Sequence, residues 1–301
     1  MTFEEFIYSL GLGRQKIESD GNIHRFKPPG SKTNSGWYVS FPHLEYETGV
    51  VGDWKTGIQE NFYSFNKSEF TPEQKRRYAK QVAKTTAQRK NDEAKKHIVA
   101  KKKVGEIWGT ALTNDLDNHP YLVNKQIKAH NVRIDSYGNL LIPLYDRNRV
   151  MWNIQRINPN GEKRFLKGAR IDGCYHPIGF LNNMIPQIIL SEGPSTGMSI
   201  YQATNIPTVV TFGAGKLESI ASIIRAKYPN SKIIIAGDDD RFNSINTGRN
   251  KALIAARKVN GISIFPKFKD LSTKPTDFND LHILEGLETV KEQFKVVCDV
   301  F

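Results

Sequence analysis

Residues 233–242 read IIIAGDDDRF, so three isoleucines and an alanine lead straight into three adjacent carboxylates. Carboxylates at that spacing repel one another, and a cation belongs among them in the working state. Upstream, the apolar run QIIL ends in Ser191-Glu192-Gly193 in the same manner. Alternate side chains of an extended segment share a face, which points Asp238 and Asp240 together and Asp239 away. If the two runs are close strands of one sheet, Glu192 faces Asp238 and Asp240 across a short gap. A set of oxygen donors without Cys or His suits a hard divalent cation, Mg²⁺ or Mn²⁺, shared with phosphate oxygens. Taken alone, GDDD also reads as a polar loop with one Asp capping the next helix. The second acidic strand end favours the metal.

The elements that must position these groups lie in residues 186–301. There QIIL, PTVVTF, KIIIAG and GISIFP alternate with the helix-like PSTGMSIYQATN, KLESIASIIRAKY, TGRNKALIAARKVN and NDLHILEGLETVKEQF. That alternation predicts a mainly parallel, open α/β sheet, whose ligands bind outside the carboxyl ends of the strands. Residues 114–185 read as an antiparallel α+β subdomain, with NLLIPLYDRNRVMWNIQRI as two runs around a turn. It carries Arg147, Arg149, Arg156, Lys163, Arg164, Lys167 and Arg170, with Trp152 and Phe165 interleaved. Those residues form either a groove for a phosphate backbone or the wet face of an ordinary sheet.

Residues 71–113 read as a basic helical linker. TPEQ at 71–74 has the form of a capping box, and the apolar positions after it are sparse, mainly Tyr78, Val82, Ala83, Ile98 and Val99. Residues 1–70 read as a small β-rich unit of short aromatic and β-branched runs. Its Trp37, Tyr38 and Trp54 lie near Arg25, Lys27, Lys32 and Lys55; these aromatics read first as a small β core, and stacking on single-stranded DNA is compatible with that.

The chain of 301 residues carries a net charge of +12. Between Lys67 and Trp108, thirteen Lys and Arg stand against five Asp and Glu, a net +8, so one segment holds two thirds of the excess. Such a concentration is the footprint of a nucleic-acid binder or of a solvated helix. Cys174 and Cys298 are too few for a disulfide framework or a four-cysteine zinc site, which points to a reducing, cytoplasmic setting. No apolar run is long enough to span a membrane, and MTFEEFIYSLGLG lacks the basic flank of a signal peptide.

ILSEGPSTGMSI, IIIAGDDD and TDFNDLH together resemble the Toprim domain of phage and plasmid DNA primases. HPYLVNKQI, GNLLIPLYD, NIQRINPNGEKRFLKGAR and YHPIG are similar to the segment that precedes Toprim in mobile-element primase-helicases, and HRFKPPG, GWYVSF and VVGDWKTG to their N-terminal segment. The resemblance implies a DNA primase that makes short RNA primers on single-stranded DNA from nucleoside triphosphates. Glu192, Asp238 and Asp240 would be the catalytic, metal-binding carboxylates. Asp277 and Asp280 in TDFND would either reach the metals or cap the final helix. Arg156, Lys163, Arg164, Lys167 and Arg170 would contact template or triphosphate. Arg249 and Lys251, which begin the helix after GDDD, would meet phosphates or lie on a solvated face. Two departures matter. There is no G-x-x-x-x-G-K-[ST] loop, FGAGK at 212–216 having the wrong spacing, so a separate or excised replicative helicase is implied. There is also no Cys before 174, so no zinc is expected at the N-terminus. A Toprim nuclease or a non-catalytic single-stranded-DNA-binding accessory remain the alternatives.

Overall fold

The computed structural model describes residues 1–41, 46–65 and 71–298, apart from the side chains of residues 74, 78, 81, 82, 85 and 89. The chain divides into two compact units, Met1–Lys95 and Lys96–Phe301.

In the first unit a short helix α1 (Phe3–Ser9) precedes an antiparallel meander of β1 (His24–Phe26), β2 (Gly36–Phe41), β3 (Thr48–Asp53) and β4 (Ile58–Tyr63). Helix α1 is absent from the β-rich reading, although its signal is present. Thr2 accepts from the Glu5 N–H (3.2 Å) while the Glu5 carboxylate accepts from the Thr2 N–H (2.8 Å), a reciprocal cap. The helix buries Phe3 and Ile7 against Val51 and Phe62, with Phe3 stacked on Phe62 at 5.2 Å. A Cβ at position 49 would stand 2.4 Å from the Phe3 ring, so only glycine lets the helix close on β3. Tyr38 belongs to this core: it is 4% exposed, and its hydroxyl donates to the Lys16 carbonyl. It is therefore not one of the free stacking rings.

Helix α2 (Pro72–Thr110) crosses the boundary between the units. The Gln74 side chain of the expected cap, with Tyr78 and Val82, lies outside the described residues. Ile98 and Val99 are 62% and 73% exposed rather than packed. The packing stripe of the second half is instead Ala100, Val104, Ile107 and Trp108, at helical spacing. It covers one face of a four-stranded antiparallel sheet, β5 (Arg133–Ile134), β6 (Leu140–Tyr145), β7 (Met151–Ile157) and β8 (Lys163–Phe165). The other face buries Leu140, Ile142 and Ile157 with Leu122 of α3 (Pro120–Asn124).

The remaining sheet has the order β13-β12-β10-β11-β9. β10 (Gln187–Ser191), β11 (Thr208–Val210), β12 (Lys232–Ala236) and β13 (Ile262–Ile264) are parallel, and β9 (His176–Ile178) pairs antiparallel with β11 as the edge. Strands buried on both faces read as continuous apolar runs, as QIIL and KIIIA do. α5 (Leu217–Lys227) and α6 (Thr247–Lys258) cover one face; α4 (Pro194–Thr204), α7 (Phe278–Glu285) and α8 (Leu287–Lys295) cover the other. The last apolar stretch reads as one helix in the sequence but is two, because Gly286 takes φ +86° between them. Among the described residues no helix is long and apolar enough to cross a membrane.

His176 pins the two sheets together. Its ring is fully buried, with Nδ1 3.1 Å from the Pro143 carbonyl of β6 and Nε2 3.1 Å from the His130 carbonyl. Burial drives its pKa down to about 4, because a neutral ring costs less to desolvate than an imidazolium; the two carbonyls favour the charged form but do not outweigh burial, and the neutral ring donates to only one of them. The unfolded chain titrates near 6.5, so between those values the unfolded state binds more protons and stability falls as pH falls. His176 is expected to contribute a loss of roughly 3 kcal/mol on going from pH 7 to below pH 4. Denaturant unfolding of the parent and of His176→Gln at several pH values checks this; equal pH slopes would exclude it.

Candidate metal centre

Strands β10 and β12 are adjacent, with Ser191 opposite Ala236 in register, so the residues that follow them emerge at one rim. There the Asp238 N–H points at Glu192 Oε1 (3.4 Å). Glu192 is only 8% exposed, and Asp238 Oδ1 is buried with no hydrogen-bond partner. Burial raises the pKa of Glu192, and the charges of Asp240 and Asp277 raise it further. Burial likewise raises Asp238, with Glu192, Asp277, Asp240 and Asp280 all adding to the shift. Among the described residues, no Lys or Arg forms an ion pair with any of these five carboxylates.

Asp239 is different. Burial pushes its pKa up, but bonds from Arg241 and Asn246 outweigh this and hold it below the usual carboxylate range. Arg241 and Asn246 donate to it, and Arg249 Nη1 lies 3.6 Å away. Its N–H donates to the Thr276 carbonyl (2.8 Å), which ties the acidic loop to the segment before α7. Asp240 Oδ2 accepts from the Gly248 N–H (3.0 Å) in the first turn of α6.

Asp277 and Asp280 do cap a helix, α7. The Asp277 carboxylate accepts from the Asn279 and Asp280 N–H groups (2.7 and 2.9 Å), and Asp280 accepts from Thr276 and Asp277. Both also act electrostatically on Asp238. Capping and proximity to the cluster are therefore compatible. The donor set is carboxylate oxygen throughout, with no cation at ion-pair distance among the described residues and one orphaned buried atom, a chemistry that fits a hard divalent cation of the Mg²⁺ or Mn²⁺ kind.

The expected cations divide by strand register. Arg156 lies directly opposite Arg164, on the face that α2 covers, while Lys163 and Phe165 lie opposite Ile157 and Gln155 on the other face. Arg156 pairs with Asp135 (3.4 Å), and Arg164, 82% exposed, stands 3.7 Å from Glu162. Arg170 is held by the Asp172 carbonyl and lies over Trp152, 5.1 Å from the ring centre. Lys167 and Lys251 are exposed, and Arg249 rests on Phe265 at 4.3 Å. In the first unit, Trp37 and Trp54 stack at 5.5 Å with Arg25 over Trp54 at 4.5 Å, and Trp54 is half exposed.

One segment that the sequence reading passed over sits against the cluster. FGAGK is no phosphate loop, yet the Gly213 N–H donates to the Glu192 carbonyl (3.1 Å), and Ala214 bonds the Glu192 side chain. Phe212 meets Phe165 edge-on at 5.7 Å, and Lys216 lies over the same ring, its pKa lowered by burial. Phe212 and Gly213 take φ of +62° and +130° here.

Residues 187–288 match the family model described as Toprim domain. Two proteins of Escherichia coli named DNA primase TraC are similar to this chain. One is 31% identical over 281 residues, covering 88% of this chain and 26% of the relative; the other is 33% identical over 270 residues, covering 86% and 18%. The chain thus spans about a quarter or less of the length of these relatives. Among solved structures, the primase fragment of the bacteriophage T7 primase-helicase protein aligns with a TM-score of 0.46 at 15% identity, covering 62% of this chain and 80% of that one. The carboxylate rim at Glu192 and Asp238 accordingly lies within the residues that match the Toprim domain, a type of domain that binds divalent metal.

Proposed function

We propose that the chain is a DNA primase, which synthesises short RNA primers on a single-stranded DNA template from nucleoside triphosphates. What supports this is the cluster of buried carboxylates without an ion-paired cation on the rim that matches the Toprim domain, in a chain whose similarity to DNA primases runs over most of its length. Asp238 and Asp240 would hold Mg²⁺ or Mn²⁺, with Glu192 beside them. Metal bound there would stabilise the charge on the attacking and leaving oxygens as the 3′-hydroxyl displaces pyrophosphate in line from the α-phosphate. Glu192, whose burial and neighbours raise its proton affinity, suits the group that accepts the hydroxyl proton. Asp277 and Asp280 hold the wall of the site through α7 and add negative charge to it. Lys163, over the Tyr121 ring, and Lys216, over the Phe165 ring, suit contacts to triphosphate or template. Arg164, 82% exposed, suits the backbone of a strand passing this subdomain, as do the exposed Lys167, Arg249 and Lys251, with the half-buried Arg156 and Arg170 beside them. The Trp37–Trp54 stack with Arg25 suits single-stranded bases. A replicative helicase would be the partner that supplies the template, and no zinc is required for this chemistry.

The test is incorporation of labelled ribonucleotides on single-stranded DNA with Mg²⁺ or Mn²⁺, against the double variant Asp238→Asn, Asp240→Asn. Short oligomers from the parent alone are expected. Template shortening without incorporation would assign a nuclease instead, and neither outcome would leave a binding module.

A further inference from the structure

The second unit holds another cleft, of about 470 Å³, that shares no residue with the carboxylate rim. Gly179–Leu181, after the antiparallel strand β9, and Lys227–Tyr228, before β12, form part of its wall. By strand direction both segments lie at the rim where the parallel strands begin, opposite the one that carries Glu192 and Asp238. Three cations line the cleft: Arg133, Arg149 and Lys227. Among the described residues none of them has a carboxylate partner within ion-pair distance. Asp146, also in the wall, is already saturated. It accepts from the Asn148 and Val150 N–H groups (2.9 and 3.0 Å) and from Trp152 Nε1 (2.8 Å), with Arg170 3.9 Å away.

The cations are held by backbone carbonyls instead. Arg149 donates to Leu181 O (2.8 Å), Lys227 to Arg147 O (2.7 Å) and Arg133 to Trp108 O (2.6 Å). Burial lowers the pKa of Lys227, and Arg149 and Arg147 lower it further, so positive charges crowd one another here. Arg149 reaches this place from a turn in which it takes φ +63°, a conformation that glycine or asparagine adopts more readily. Rings complete the wall: Trp108 under Arg133 at 4.5 Å, Tyr145, Tyr228, and Phe180 at 72% exposure.

Cations without a carboxylate partner, beside aromatic faces and in a volume typical of small-ligand sites, select an anion that carries a flat ring. We propose that this cleft binds a mononucleotide, its phosphates on Arg149 and Lys227 and its base among the rings. The site is independent of the metal centre and of the primase reading.

Fluorescently labelled ATP, titrated into the full chain in a chelating buffer, tests this without the metal centre. One equivalent is expected to bind, to bind Asp238→Asn equally well, and to be displaced by unlabelled ATP. Arg149→Gly and Lys227→Ala should each weaken binding about tenfold, the loss of one charge-assisted contact. Arg149→Gly suits the existing φ, and a thermal melt close to the parent's shows that the fold survives. The proposal fails if no ATP binds without metal, or if both variants bind like the parent. It fails equally if tripolyphosphate competes as well as ATP does, or if a single-stranded oligonucleotide but not ATP occupies the cleft.

Discussion

Asp238→Asn is expected to abolish primer synthesis and, without metal, to make the protein more stable. The two effects have one cause. Asp238 carries a buried oxygen with no partner and feels four like charges, those of Glu192, Asp277, Asp240 and Asp280. An amide of the same shape removes that repulsion and offers hydrogens to the neighbouring carboxylates. A gain of about 1–3 kcal/mol in chelating buffer is the expected size for relieving an uncompensated buried charge. On the proposed reading, catalysis would lose a group that holds the metal against the phosphate, and a fall of at least about 10²-fold is expected. Mg²⁺ or Mn²⁺ should raise the parent's melting temperature in proportion to saturation, and should leave the variant's almost unchanged. Melts with and without metal, beside an incorporation assay, check all three parts. A variant that melts below the parent in chelating buffer would mean that the carboxylates are compensated by something other than a cation.

That rim was largely legible in the sequence because its determinants are local. Period-two alternation separates Asp239 from its neighbours, and continuous apolar runs mark strands buried on both faces. Strand order is not local. Nothing within KIIIAG states that its neighbour is QIIL rather than PTVVTF, and only the adjacency of β10 and β12 brings Glu192 to Asp238. Nor does GDDD show that Arg241, Arg249 and Asn246 would neutralise the middle Asp and leave its neighbours bare. Charge runs were read by composition, whereas register assigns the cations to faces: Arg164 and Lys163 are consecutive in sequence and lie on opposite sides of β8. The edge strand β9 was missed because three residues are too few for a periodicity, and it is fixed by pairing with β11 and by the buried His176. Buried polar contacts of long sequence separation were equally invisible. Asn279 joins α7 to the Lys125 carbonyl and to Ser199, which in turn bonds His282.

Gly248→Ala is expected to act on the same loop with the opposite sign for stability. By helix propensity alone the change is favourable, by about 1 kcal/mol. Sterically it is not. The added Cβ would stand 2.6 Å from the Asp238 carbonyl oxygen and 3.1 Å from both the Asp238 Cβ and Asp240 Oδ2. The first of these is backbone, so no rotamer relieves it. The loop cannot retreat freely either, since the Asp239 N–H is bonded to Thr276 and the Asp239 carboxylate is clamped by Arg241 and Asn246. The first turn of α6 must then move, which breaks the Gly248 N–H bond that orients Asp240. A net destabilisation of about 1–3 kcal/mol is expected from such overpacking. If these carboxylates hold the metal as proposed, a displacement near 1 Å should cost activity on the order of 10²-fold. Both variants should therefore fail in the incorporation assay, while their metal-free melts move apart, Asp238→Asn upward and Gly248→Ala downward. If Gly248→Ala instead melts higher and keeps its activity, helix propensity has won, and the acidic loop is free to yield rather than braced against α6.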